Sequence, residues 1–183
     1  MIKTTFRSIF IIILFVLLLR ILNAEDIRFK QIVLQGNKGG YVDGNIWNSN
    51  SLLGRTNVII YVDPDNFSDI KQFVSYLESE KSINDNFGLT FIVNTAATAI
   101  PNFAIRSKIK SRAKESSTVS YVLDNDKFLI EKWNLRDDSA NVLVLDSTNR
   151  QQFLCTGNIS LEDSKRIMKI INNCYNNENR SQN

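Results

Sequence analysis

The sequence predicts an α/β sandwich, with a central mixed β-sheet, helices on both faces and an N-terminal strand pair laid on the sheet. Three observations lead there. Continuous apolar runs alternate with helical patterns from Asn57 to Leu123, a polar five-residue turn joins two further apolar runs near the C-terminus, and a capped helix follows them.

In chain order, Ile27 to Ile46 reads as a leading strand and a turn. Ile27, Phe29, Gln31 and Val33 alternate loosely, Gly39-Gly40 interrupts the run, and Asp43-Gly44 signals a hairpin. Asn57 to Val62 is a buried strand by its β-branched run. Ser68 to Ser79 is a helix with Ile70, Phe73, Val74 and Leu77 on one face. Leu89 to Val93 is a second buried strand, and Pro101 with Asn102 opens a helix running to about Ser116. Thr118 to Leu123 is a third strand. Asp124-Asn125-Asp126 turns the chain, and Phe128 to Trp133 fits a short strand or one helical turn. Val142 to Leu145 and Gln151 to Cys155 flank the turn Asp146 to Arg150 as a hairpin. Ser160, with Asp163 three residues on, caps a final helix whose stripe is Ile167, Met168, Ile171, Cys174 and Tyr175.

Residues 1–24 form a targeting segment, set apart from the fold. Lys3 and Arg7 give a basic start, Ile9 to Leu19 is an apolar core, and Ala24 offers a small residue for cleavage. An uncleaved membrane anchor is the minor alternative, because Arg20 ends the run short of the roughly 18 to 20 residues that span a bilayer. One domain then covers 25–174, and 175–183 has the composition of a disordered polar tail.

Composition excludes much chemistry. The chain has no His, so neither a Ser-His-Asp nor a Cys-His pair can be assembled, and His-ligated zinc or haem is ruled out. Two cysteines, Cys155 and Cys174, cannot close an all-thiolate zinc site. Of the 22 basic residues, Lys3, Arg7 and Arg20 leave with the signal, and the remaining 19 match 19 acidic ones. A neutral exported chain is a poor nucleic-acid binder, since that affinity rests on many phosphate contacts. No catalytic, cofactor-binding or metal site is predicted.

The order of elements resembles the thioredoxin fold, and three stretches are similar to the YtfJ-like family of exported bacterial proteins. They are Phe91-Ile92-Val93-Asn94-Thr95 with Ala99-Ile100-Pro101 behind it, Ser139 to Asp146, and the closing Ser160-Leu161-Glu162-Asp163 helix start. The resemblance covers roughly Phe91 to Asn173, and implies a thioredoxin-like fold in the periplasm with an unassigned physiological role. Active relatives in that fold carry a thiolate after the first core strand. Peroxiredoxins show Pro-x-x-x-Thr/Ser-x-x-Cys there; this chain has Pro64-Asp65-Asn66-Phe67-Ser68-Asp69-Ile70-Lys71, with Lys71 where the thiol would be. An ammonium group cannot replace a thiolate nucleophile. Where thioredoxins place a cis-proline, this chain has Ala140, and a non-proline residue strongly prefers trans.

The remaining candidates read as structure. Asp63 and Asp65 flank Pro64 and are expected to cap the helix, the alternative being a shared proton or cation. Asp124-Asn125-Asp126 begins like a calcium loop but has no Gly at the sixth position and Leu135 at the twelfth, so it is a turn. Arg106, Lys108, Lys110, Arg112 and Lys114 scatter over two faces of one helix and read as a solvated surface with Ile105 and Ile109 inward, a peripheral contact with anionic surfaces being the alternative. Trp47 and Trp133 are core aromatics. Cys155 ends a strand and Cys174 ends the helix that follows in the opposite direction, so about 14 helical residues rising about 1.5 Å each keep the sulfurs apart beyond the roughly 7 Å between bridged Cα atoms. The resulting expectation is a non-catalytic module, without cofactor, that presents a surface or groove to an envelope protein; the alternative is a thiol-dependent redox or peroxide enzyme using Cys155.

Overall fold

The computed structural model describes residues 29–116 and 118–181, so the targeting segment expected at 1–24 lies outside the described residues. The chain runs β1 (Val33–Leu34), β2 (Gly39–Tyr41), β3 (Trp47–Asn48), β4 (Asn57–Val62), α1 (Lys71–Ile83), β5 (Gly88–Asn94), α2 (Asn102–Glu115), β6 (Val119–Asp124), α3 (Phe128–Trp133), β7 (Ala140–Leu145), β8 (Gln151–Thr156) and α4 (Leu161–Ser181). Six strands make one sheet in the order β2-β6-β5-β4-β7-β8. Strands β4, β5 and β6 are parallel, while β2, β7 and β8 run antiparallel to their neighbours. This is the expected mixed sheet with helices on both faces.

The two parallel crossovers, through α1 and α2, step the same way along the sheet, and the uniform hand of such connections puts both helices on one face. There Phe73, Val74 and Leu77 of α1, Ile105 of α2, and Ile167 and Ile171 of α4 meet Ile60, Phe91, Tyr121 and Val142. The other face receives Trp47, Leu52, Leu129, Trp133 and Leu135 against Ile59, Ile92, Val122 and Leu143. Trp47 and Trp133 meet edge to face at 6.1 Å, confirming both as core residues. The strand pair β1–β3 belongs to this second face.

Several local readings change. Gly39 and Gly40 do not interrupt a strand but form the edge strand β2, paired with Leu123 and Asp124. Gly39 has φ +128, and a Cβ there would collide with the Leu123 carbonyl oxygen, so only glycine lets this edge approach β6. Pro64–Ile70 is a 3-10 run, and the α-helix begins only at Lys71. Phe128–Trp133 is helical, because the carboxylate of Asp124 accepts the backbone N–H groups of Phe128 and Leu129 at 3.0 and 2.8 Å. Ser160 Oγ accepts from the Asp163 amide at 3.0 Å and Asp163 Oδ2 accepts from the Ser160 amide at 3.1 Å, a reciprocal cap.

Of the polar tail expected at 175–183, residues 175–181 are described, and they are helical. Helix α4 continues through Ser181 because Glu178 reaches back to the body of the fold. It accepts from Thr56 Oγ1 at 2.6 Å and from the Ser147 amide at 3.1 Å. Among the described residues, no helix is long and apolar enough to cross a membrane.

Candidate functional site

The C-terminal ends of β4 and β5 meet the N-terminal end of β7, and the register fixes what gathers there. Val62 pairs with Val93 on one side and with Ala140 on the other. One residue further, Asp63 lies beside Asn94 and opposite the loop that enters β7. Asp63 is 1% exposed. Its side chain makes no capping hydrogen bond. Instead its Oδ1 accepts from Asn94 Nδ2 at 2.7 Å, while Oδ2, also buried, has no hydrogen-bond partner among the described residues.

The capping role expected of the Asp63–Asp65 pair is therefore overturned. Pro64 starts a tight 3-10 run in which the Asp63 carbonyl, rather than its carboxylate, accepts the Asn66 amide at 2.9 Å. Asp65 is exposed, and its Oδ1 accepts from Thr98 Oγ1 at 3.2 Å.

The carboxylates that do face Asp63 come from the β7 loop. One oxygen each of Asp63, Asp137 and Asp138 lie within 4.8 Å of one another, with Asp137 and Asp138 exposed. Burial pushes the Asp63 carboxyl above the usual carboxylate range; the Asn94 hydrogen bond opposes this, and the negative charges of Asp137 and Asp138 add to it. Lys127 Nζ donates to both Asp137 oxygens, at 2.9 and 2.8 Å, and holds that carboxyl low. Asn141 fixes the loop: its Oδ1 accepts the Arg136 amide and its Nδ2 donates to the Arg136 carbonyl, both at 2.9 Å. Every described peptide bond is trans, that before Ala140 included.

Next to this corner, on the α2 side, lies an apolar cleft of about 590 Å³ lined by Pro64, Phe67, Phe91, Ile100 and Ile105, with Lys108, Arg112 and Glu115 as its charged lining residues. Its existence follows from how little α2 buries: Ile105 alone among its residues is fully buried, with Ile109 and Ala113 packed at the margin. Arg112 is committed, donating to both Glu78 oxygens at 3.0 Å and to Tyr121 at 3.2 Å. Arg106 donates to the Val42 carbonyl at 3.2 Å. Lys108, Lys110 and Lys114 are exposed. The basic helix thus divides into two anchored arginines and three solvated lysines.

The sulfurs lie elsewhere. Cys155 is on the edge strand β8 opposite Val142, half-buried, and burial and nearby Asp163 push its thiol up. Cys174 is buried in α4, where burial, Asp146 and Glu178 push it up to about 11. Neither is in a disulfide. Lys71 opens α1 and is exposed.

A family model described as "Bacterial protein of unknown function (YtfJ_HI0045)" matches residues 27–174. The chain belongs to this family. The "Uncharacterized protein YtfJ" of Escherichia coli K12 is 27% identical over 129 residues, covering 68% of this chain and 70% of that protein. The fold of this YtfJ-family chain is that of thioredoxin. A putative thioredoxin from Neisseria meningitidis superposes with a TM-score of 0.61 at 12% identity, over 81% of this chain and 90% of its own. The exposed lipoprotein thioredoxin Etrx1 of Streptococcus pneumoniae TIGR4 gives 0.56 at 12% identity, over 79% and 99%. A putative thiol:disulfide interchange protein DsbE from Chlorobium tepidum gives 0.56 at 9%, over 81% and 95%.

Sequence reasoning found Asp63 but paired it with the wrong carboxylate. Asp137 and Asp138 carry no motif of their own, and only the antiparallel register of β4 with β7 brings them to Asp63. The available signal was an acidic pair just before one predicted core strand and an acid just after another.

Proposed function

We propose that this chain is an exported, periplasmic, non-catalytic binding module, which uses a thioredoxin-fold corner to hold a segment of an envelope protein. The observation that carries the reading is the chemistry of the corner. Where a thioredoxin-type enzyme needs a thiolate of lowered pKa at the start of a helix, this chain has Lys71 at the start of α1 and a buried aspartate before it. Its two thiols lie on β8 and α4, and both are pushed up. A raised thiol leaves little thiolate at neutral pH, which argues against the alternative in which Cys155 works as a redox centre.

The cleft beside the corner supplies the binding surface. Its walls are apolar and aromatic, and Lys108 at the rim, followed along α2 by Lys110 and Lys114, is a solvated cation. Glu115 also lines the cleft, but Lys108, Lys110 and Lys114 outnumber it along this helix, so charge complementarity favours a partner segment that inserts a bulky apolar side chain flanked by acidic residues. A photocrosslinker at Lys108 in intact cells tests this. We expect crosslinks to a defined partner peptide of that composition, lost in Ala104→Trp, which fills the cleft. Reduction of insulin or consumption of peroxide by the purified protein at enzymatic rates would overturn the non-catalytic reading; crosslinks indifferent to Ala104→Trp would overturn the cleft as the binding surface.

A further inference from the structure

We propose that Asp63, Asp137 and Asp138 bind a hard divalent cation, calcium in preference to magnesium, and that the cation ties the loop entering β7 to the end of β4. Two independent observations support it. The first is the convergence of three carboxylate oxygens within 4.8 Å. The second is the buried Oδ2 of Asp63, a polar atom on a side chain only 1% exposed and without any partner among the described residues. A buried carboxylate oxygen left unpaired is costly, and a cation is the partner an acceptor-only atom can use when no N–H group is within reach.

Size, charge and access agree on the class of ion. Two oxygens around one calcium, each about 2.3–2.6 Å from it, stand at most roughly 5 Å apart, so three oxygens within 4.8 Å can share one calcium. Magnesium, at about 2.0–2.1 Å, would require the cluster to contract and prefers to keep its waters. An all-oxygen donor set with neither His nor Cys favours a hard cation over the softer transition metals. Three carboxylates against the one ammonium of Lys127 leave two negative charges, which a divalent ion neutralises. Asp137 and Asp138 are exposed and Asp63 is buried, so the ion enters from the loop side and waters complete its shell. Lys127, already on Asp137, stays as a second-layer cation that orients that carboxylate.

The test is a titration of calcium chloride into the purified full-length protein in chelator-treated buffer, read by calorimetry and by thermal melts. The expectation is one site with a Kd on the order of 10⁻⁴–10⁻³ M, the range of weak oxygen sites outside the cytosol. At 10 mM calcium the Tm should rise by roughly 3–10 °C, and by less than half as much in 10 mM magnesium. Asp63→Asn and, separately, Asp137→Asn should weaken binding by about tenfold or more. Asp137 is on the surface, so its variant keeps the test decisive if Asp63→Asn fails to fold. Absence of saturable heat, or a Tm rise that both variants retain, would overturn the site. Neither result bears on redox activity or on the cleft.

Discussion

The two ends of strand β4 handle the same problem, a buried polar group, in opposite ways. At its start, Thr56 is fully buried, its Oγ1 donates to Glu178 at 2.6 Å and its N–H to the same carboxylate at 3.3 Å. Asn57, 4% exposed, donates to the carbonyls of Leu52 and Arg55 at 2.5 and 2.7 Å. Glu178 also accepts from Ser147, so strand, hairpin turn and C-terminal helix close on one carboxylate. At the other end, Asp63 is as buried, yet one oxygen has no partner among the described residues and two more carboxylates face it. A satisfied polar network rigidifies a fold, whereas an unsatisfied one is held in place by the surrounding structure at a cost in stability. The closed end serves stability, and the open end is where the proposed cation would bind.

The sharpest way to break this contrast is Glu178→Ala. It strands the hydroxyl and amide of the buried Thr56 and releases the Ser147 amide. We expect a loss of about 2–3 kcal/mol in urea denaturation, together with faster amide exchange over residues 175–181, whose helix this carboxylate anchors. A loss below about 0.5 kcal/mol, the scale of an ordinary surface substitution, would mean that the network is not structural.

The opposite end should answer with the opposite sign. Burial raises the Asp63 carboxyl, so the folded protein holds that proton more tightly than the unfolded chain does. Its contribution to stability is therefore complete below the ordinary aspartate value and is lost as pH rises through the raised folded value. In cation-free buffer at pH 7.5, Asp63→Asn should be stabilising by about 0.5–1 kcal/mol, because the amide is neutral and keeps an oxygen for Asn94. It should also remove that part of the wild-type pH dependence. A destabilisation above about 1 kcal/mol would show that the charged carboxylate is a structural requirement of the corner.

These two ends were not equally legible in the sequence. The apolar run of β4 places the strand at Asn57–Val62, and Ser160 with Asp163 marks the start of α4, because both signals are local: side-chain period in one case, reciprocal capping in the other. Glu178 sits in an Asn-rich stretch that reads as a frayed tail, and what orders it is a hydrogen bond to Thr56 far back in the chain. Asp63 was visible as a helix-entrance acid, but a capping preference is a statement about nearby amides, and Pro64 leads into a 3-10 run that the Asp63 carbonyl already serves. Asp137 and Asp138 became partners through strand register alone. The apolar cleft was illegible for a related reason. It depends on α2 burying only Ile105 fully, a matter of helix tilt and spacing that the charge pattern of Arg106 to Lys114 does not encode.

The two cysteines sample the two ends, and their reactivity is the finest test of the comparison. Cys155, opposite Val142, lies towards the Ala140 end of β7, whereas Cys174 lies near Asp146 and Glu178 at the closed end. An unperturbed thiol is about one-tenth thiolate at pH 7.5. Cys174, with its pKa pushed up to about 11 by burial and by those two acids, has fewer than about one thiolate in a thousand at that pH. Cys155 is raised by burial first and by Asp163 second, but it is half-buried and closer to solvent. In a disulfide-exchange reagent at pH 7.5, Cys155 should react more slowly than a free thiol and Cys174 more slowly still, and both rates should climb with pH because the thiolate is the attacking species. Mass spectrometry of the modified protein assigns each rate. Rapid labelling of Cys155 near neutral pH would show a lowered thiol beside the open end, and with it the redox reading would return.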